Sequence, residues 1–229
     1  MSPHVTDATS RTFEVRHVQL ARAFLAAVAA IMITFTADHS AAVGLAVFSG
    51  YAIASAIVFF AAAWLVYPAG SRGVVILLGV VNLVAGMISG IPPLRTTTTF
   101  FVLVIAWAAV TGLIELIAGI RARRTGDPAA RDAILIGAIT LALAVALLVV
   151  NPAYSLEYVI REAGPEPFTL TGITIGVGLF GGYAAIVAVF LGIAGFSPRR
   201  EVTSTDVTAR DGAPIDEHAA DAPRAGEAA

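Results

Sequence analysis

Cysteine is absent from this sequence, which excludes disulfide frameworks, thiol nucleophiles and cysteine metal sites. Lysine is absent too. All 14 basic residues are arginine, so no side-chain amine is present to form a Schiff base. Charge of either sign is scarce: only 13% of the 229 residues are charged, about half the share typical of soluble domains. A further set of absences concerns chemistry. No histidine–acid spacing suited to a metal, no nucleophile–base pair and no glycine-rich phosphate loop after a strand can be found. An enzyme is therefore not predicted, and neither a cofactor, a nucleic-acid partner nor a small-molecule ligand is called for.

What is present is apolar sequence. Hydrophobic residues make up 58% of the chain and the mean hydropathy is +0.85, values that belong to a polytopic membrane protein whose principal partner is the lipid bilayer. Arginine as the sole cation beside abundant alanine is also the compositional mark of GC-rich bacterial coding. A bilayer core takes roughly 20 helical residues at about 1.5 Å each. Six stretches meet that length, at about 18–37, 42–66, 74–91, 100–120, 133–150 and 171–196. The organising unit is the pair at 74–91 and 100–120, joined by Pro92-Pro93 and closed by an arginine cluster. The first stretch could be read as a secretory leader, but its apolar run exceeds the roughly 7–15 residues of a signal core and no clean Ala-x-Ala site follows.

Residues 1–16 and 197–229 are polar or rich in Ala, Asp, Glu and Pro, and are expected to be disordered tails flanking a membrane domain over 17–196. Within the segment 151–170, Leu156, Val159, Ile160 and Ala163 follow i, i+3, i+4, i+7 spacing, which predicts a short amphipathic helix on the membrane surface. Loop arginines set orientation. Arg11, Arg16, Arg72, Arg121, Arg123, Arg124, Arg131, Arg199 and Arg200 fall on one side, Arg95 and Arg161 on the other. The expectation is six spans in a bacterial inner membrane with both termini cytoplasmic, and with Arg22, one turn inside the first span, snorkelling to the inner headgroups.

The chain also repeats. Arg22, Arg72 and Arg131 each open a hairpin, at intervals of 50 and 59 residues. The returning helices share a small-aromatic-Ala pattern at Gly50-Tyr51-Ala52, Ala106-Trp107-Ala108 and Gly182-Tyr183-Ala184. The fold class predicted is all-α, with six transmembrane helices arranged as three repeated hairpins. Leu78-Gly79 through Gly86, Pro92, Gly112 and Arg121–Arg124 follow the pattern of the HdeD family of bacterial acid-resistance membrane proteins, and the chain resembles that family over roughly 18–196. The first hairpin lacks the turn proline, and the third has an enlarged outer loop. The resemblance implies repeated hairpins and a role in acid or envelope-stress tolerance. It supplies no catalytic residues.

Few polar groups lie inside the spans. Glu115 is the one carboxylate well inside, six residues or roughly 9 Å from Arg121, and an ionised acid in hydrocarbon must be paired, hydrated or protonated. Three roles stay open for it: reaching back to the inner arginines or headgroups, carrying a proton or solute, or making a polar contact between helices. Asn82 lies at a depth differing by only about 4 Å, close enough to meet Glu115 or to bond across helices. Small residues let helix backbones approach in lipid, and Gly86, Gly90, Gly172, Gly176, Gly178 and Gly182 offer such faces, within one protomer or between copies in a homo-oligomer. His39, Glu157, Glu162 and Glu166 are outer titratable groups that read as a solvated loop or as a pH sensor. The alternatives to a stress-tolerance protein are a small proton-coupled transporter or channel using Glu115, and a scaffold acting through the C-terminal tail.

Overall fold

The computed structural model describes residues 14–126, 129–159 and 167–197. The calls for disordered tails over 1–13 and 198–229 lie outside these residues, as do Ile160, Glu162, Ala163 and Glu166. Six helices are long and apolar enough to cross a membrane: α1 (Val15–Phe35), α2 (Ala41–Leu65), α3 (Arg72–Gly90), α4 (Thr97–Arg124), α5 (Ala130–Val149) and α6 (Gly172–Phe196). α1 begins at Val15, inside the stretch expected to be tail. The chain is a polytopic all-α membrane protein built of hairpins.

Local chemistry sets the helix ends. Ser40 caps α2 by accepting from the Val43 amide, and Thr96 caps α4 by accepting from the Thr99 amide. At the C-terminus of α3, Arg95 donates Nε to the Ser89 carbonyl and Nη2 to that of Gly90, each at 3.2 Å. Arg95 thereby satisfies orphan carbonyls at the negative end of a helix.

The surface helix expected after Asn151 is not formed. Ser155–Val159 is instead a strand, β1, paired antiparallel with β2 (Pro167–Thr171) in a register that sets Ser155 opposite Thr171 and Val159 opposite Pro167. Tyr158 and Phe168 stack across it at 6.0 Å. The period-3.6 apolar pattern was short, and β-branched and aromatic residues with cross-strand partners favour the strand.

The helices pack in a ring, each against its neighbours in sequence, with α6 closing on α1. Partners within each hairpin touch, but the closest packing joins α2 to α3, α4 to α5 and α6 to α1. Each close pair carries glycines on one helix one or two heptads apart: Gly79 and Gly86 on α3 and Gly112 and Gly119 on α4 seven residues apart, Gly181 and Gly195 on α6 fourteen apart. A Cβ at Gly86 would meet Ile53 at 2.6 Å, one at Gly119 the Ile134 amide at 2.7 Å, and one at Gly181 the Ile33 side chain at 2.7 Å. Such approach supplies the van der Waals contact that lipid-immersed helices depend on.

The returning helices α2, α4 and α6 meet at the centre in layers that follow the repeat. Positions 48, 104 and 180 put Phe48, Val104 and Phe180 in one fully buried layer. One turn away lie Tyr51, Trp107 and Tyr183, the aromatics of the shared pattern, with Trp107 6.1 Å from Tyr51 and 6.0 Å from Tyr183 between ring centroids. Toward the end opposite the arginine cluster the equivalent layer is Gly44, Phe100 and Gly176, where two glycines make room for the Phe100 ring. Toward the arginine-rich end it becomes Ser55, Thr111 and Val187, then Phe59, Glu115 and Leu191.

Candidate functional site: a buried ion pair between two cavities

In the last of these layers Glu115 occupies the place held by Phe59 and Leu191 in the other repeats. Its partner is Arg22 of α1, whose Nη2 donates to Glu115 Oε1 at 2.5 Å. The Glu115 side chain is 8% exposed and that of Arg22 21%. Two expectations are corrected here. Arg22 does not snorkel to the headgroups, and Glu115 does not reach the arginines that follow it. Helix geometry gives the reason. At about 100° per residue, Arg121 lies about 240° around α4 from Glu115, and side chains lean toward their helix N-terminus, which for α4 is away from the cluster. Arg121, Arg123 and Arg124 are exposed.

The guanidinium of Arg22 also sits 4.8 Å from the centre of the Phe59 ring, a cation–π contact from the same layer. A buried charge in an apolar bundle is tolerable only when paired and hydrogen-bonded. Arg22 has one carboxylate and one ring to answer that need.

Asn82 does not meet Glu115. Its Nδ2 donates to the Leu78 carbonyl at 2.8 Å, and its Oδ1 accepts from Trp107 Nε1 at 3.2 Å. Buried hydroxyls are satisfied similarly: Thr111 donates to the Trp107 carbonyl, Thr140 to that of Ile136, and Thr140 and Tyr183 share a bond of 3.1 Å. Arg22, Glu115, Asn82, Thr140, Tyr51 and Tyr183 border a cavity of about 10 Å³, close to the roughly 10–15 Å³ needed for one water.

On the other side of the ion pair is a larger chamber of about 260 Å³ toward the arginine-rich end. Its walls are mostly apolar, including Val18, Val75 and Leu78. Its polar side chains are Arg22, Glu115, Gln19, Asp132, Ser71 and Tyr67. Gln19 Nε2 donates to Asp132 Oδ2 at 2.7 Å, linking α1 to α5. Arg22, Glu115, Phe59 and Leu78 border both spaces and form the partition between them. Sequence reasoning passed over Gln19 and Asp132. Both lie near helix starts, where polar residues carry no signal unless the packing of α1 against the arginine-rich ends of α4 and α5 is known.

The glycines singled out from sequence divide. Gly86 packs on Ile53 and the Ser49 carbonyl, Gly90 on Ser49 Oγ, Gly172 on the Asn151–Pro152 backbone and Gly176 on Phe100 and Phe101. Gly178 and Gly182 have nothing within 4 Å of a built Cβ. They lie instead along an apolar groove of about 550 Å³ between α5 and α6. Packing among the described residues does not account for these two.

Among the described residues no group of three or more His, Cys, Asp and Glu side chains gathers as a metal cluster. No protein-family model, curated protein or solved structure matches the chain.

Proposed function

We propose that the chain is a non-enzymatic, HdeD-like multi-pass protein of a bacterial inner membrane that supports tolerance of acid or another envelope stress. The observation behind this reading is the convergence of three hairpin repeats on one layered core. Tyr51, Trp107 and Tyr183 occupy equivalent places there, and glycines govern the helix contacts. Packing accounts for most of that core, and one buried ion pair, Arg22–Glu115, lies within it. The excess of arginine in the loops at one end supports cytoplasmic termini. Deleting the gene and scoring survival across several regimes of low external pH tests the assignment. Survival is expected to fall and to recover on complementation. An unchanged survival curve in every regime removes the stress role.

A second reading, a small proton-coupled transporter or channel using Glu115, is favoured by the position of the Arg22–Glu115 pair between two cavities. Purified protein in vesicles loaded with a pH dye distinguishes the two. A transporter gives a flux with the wild type that weakens in Glu115→Gln, and identical traces from both proteins end that reading.

A further inference from the structure

Eight arginines lie among the described residues, and they divide by what their side chains touch. Arg16 pairs with Glu14 at 3.0 Å and Arg22 with Glu115 at 2.5 Å. Arg72 lies over the Trp64 ring and donates to the Tyr67 carbonyl, and Arg95 donates to the carbonyls that end α3. The other four, Arg121, Arg123, Arg124 and Arg131, are exposed, and their guanidinium groups have no ion pair, hydrogen bond or ring contact among the described residues.

The fold gathers these four at one corner of the bundle. A Cβ at Gly119 of α4 would lie 2.7 Å from the Ile134 amide nitrogen and 3.0 Å from the Ala130 carbonyl of α5. That close approach sets Arg131, in the first turn of α5, beside the last turn of α4, which carries the other three. Like charges so placed repel, and a cation in the first turn of a helix also opposes the helix dipole. Two carboxylates share the segment: Asp132, which accepts from Gln19, and Asp127 in the turn. Four arginines less two aspartates leave residues 121–132 with a net charge of +2. An anion at this corner would offset both the repulsion and the dipole.

Depth and the neighbouring surface specify which anion. α4 has 28 residues, more than the roughly 20 that cross the hydrocarbon core, and its apolar run closes at Ile120, so the guanidinium groups lie at the depth of lipid phosphates. Beneath them the helix is apolar and exposed. Leu113, Ile117 and Ile120 are 48%, 46% and 43% exposed, and at about 100° per residue they share with Arg121 and Arg124 an arc of about 100°. One face of α4 thus runs from apolar side chains into unpaired cations, the order in which a lipid runs from acyl chain to phosphate. We propose that this corner binds an anionic phospholipid, its phosphate and headgroup accepting from Arg121, Arg123, Arg124 and Arg131 and its acyl chains lying along Leu113, Ile117 and Ile120. A zwitterionic lipid would bring its own ammonium into the cluster, so the headgroup must be net negative. The site goes beyond the stress-tolerance reading and does not depend on it, because lipid binding is measured without reference to survival or flux.

The experiment is native mass spectrometry of the full-length protein in a neutral detergent, titrated with dioleoylphosphatidylglycerol and, separately, with dioleoylphosphatidylcholine. Each arginine near anionic lipid is worth about a fivefold gain, so phosphatidylglycerol is expected to bind at least tenfold more tightly than phosphatidylcholine. Replacing all four arginines with glutamine should bring phosphatidylglycerol to the level of phosphatidylcholine, whereas Arg16→Gln should change neither. If the fourfold variant fails to fold by circular dichroism, Arg123→Gln with Arg124→Gln makes the same comparison, with an expected loss of at least fivefold for phosphatidylglycerol alone. Excess soluble glycerol 3-phosphate, which has the phosphate without the chains, should not displace the lipid. Equal binding of the two lipids, a preference unchanged in a folded cluster variant, an equal loss in Arg16→Gln, or displacement by glycerol 3-phosphate would each overturn the proposal.

Discussion

Separating Arg22 from Glu115 should destabilise the bundle far more than removing both. Each charge is desolvated by the fold, and deleting one partner of a buried pair leaves the other uncompensated, at a cost of about 3–5 kcal/mol. Arg22, 21% exposed and bordering the chamber, keeps some access to water, whereas Glu115 is 8% exposed. Glu115→Leu, which strands the wetter partner, should therefore fall near the low end, about 3 kcal/mol, and Arg22→Met should cost at least as much. The double variant replaces an ion pair with apolar side chains of similar size and should lie within about 1 kcal/mol of the wild type. The measurement is reversible unfolding in mixed micelles by SDS, followed by helical circular dichroism and by the emission of buried Trp107. Single variants that each lose less than about 0.5 kcal/mol, or a double variant as unstable as the two losses added together, would show that the pair is not a mutual buried partnership.

The same unfolding assay checks the glycine contacts. A Cβ at Gly137 would lie 2.6 Å from the Leu116 amide nitrogen and 2.8 Å from the Gly112 carbonyl, so Gly137→Ala should lose about 2–3 kcal/mol. Gly178→Ala, with nothing within 4 Å, should stay within about 0.5 kcal/mol. Asn82→Leu strands the buried Trp107 Nε1–H and should cost about 1–3 kcal/mol, with a shift in Trp107 emission that Asn82→Gln partly restores. Reporter fusions after Arg16, within the β1–β2 hairpin and after Arg200 should give cytoplasmic, external and cytoplasmic signals in that order; an external signal after Arg200 refutes the orientation.

The spans were legible because a bilayer demands one thing of a helix, an apolar run of sufficient length, and composition states it directly. All six observed helices fall within a few residues of the stretches read from hydropathy. The largest extension is in α4, whose last turn carries Arg121, Arg123 and Arg124 past the apolar limit. The hairpin at 155–171 was misread because cross-strand partners such as Tyr158 and Phe168 are ten residues apart in sequence and no local period reports them. The glycines were harder still. A sequence shows which residues are small, but whether Gly112 or Gly178 faces a neighbouring backbone depends on helix rotation, and α6 turns Gly181 inward while leaving Gly182 open.

The polar site shows the same limit more sharply. Glu115 stood out because a carboxylate amid apolar residues has no bland local explanation, whereas Arg22, four residues from Val18 at the start of a span, has an easy one in snorkelling. That explanation holds for a helix facing lipid on every side. It fails for α1, because α6 and α2 flank it and α4 and α5 carry carboxylates to its first turns, so Arg22 bonds Glu115 and Gln19 bonds Asp132. The repeat itself contained the missing clue. Phe59, Glu115 and Leu191 are equivalent positions, two apolar and one charged, and a charge in one copy of a threefold apolar layer finds no partner within the layer, so if it is paired the partner comes from outside it. The only cation within the first span is Arg22. The outer helices α3, α5 and α1 each closely cover one returning helix, and of the three only α1 brings an arginine to Glu115.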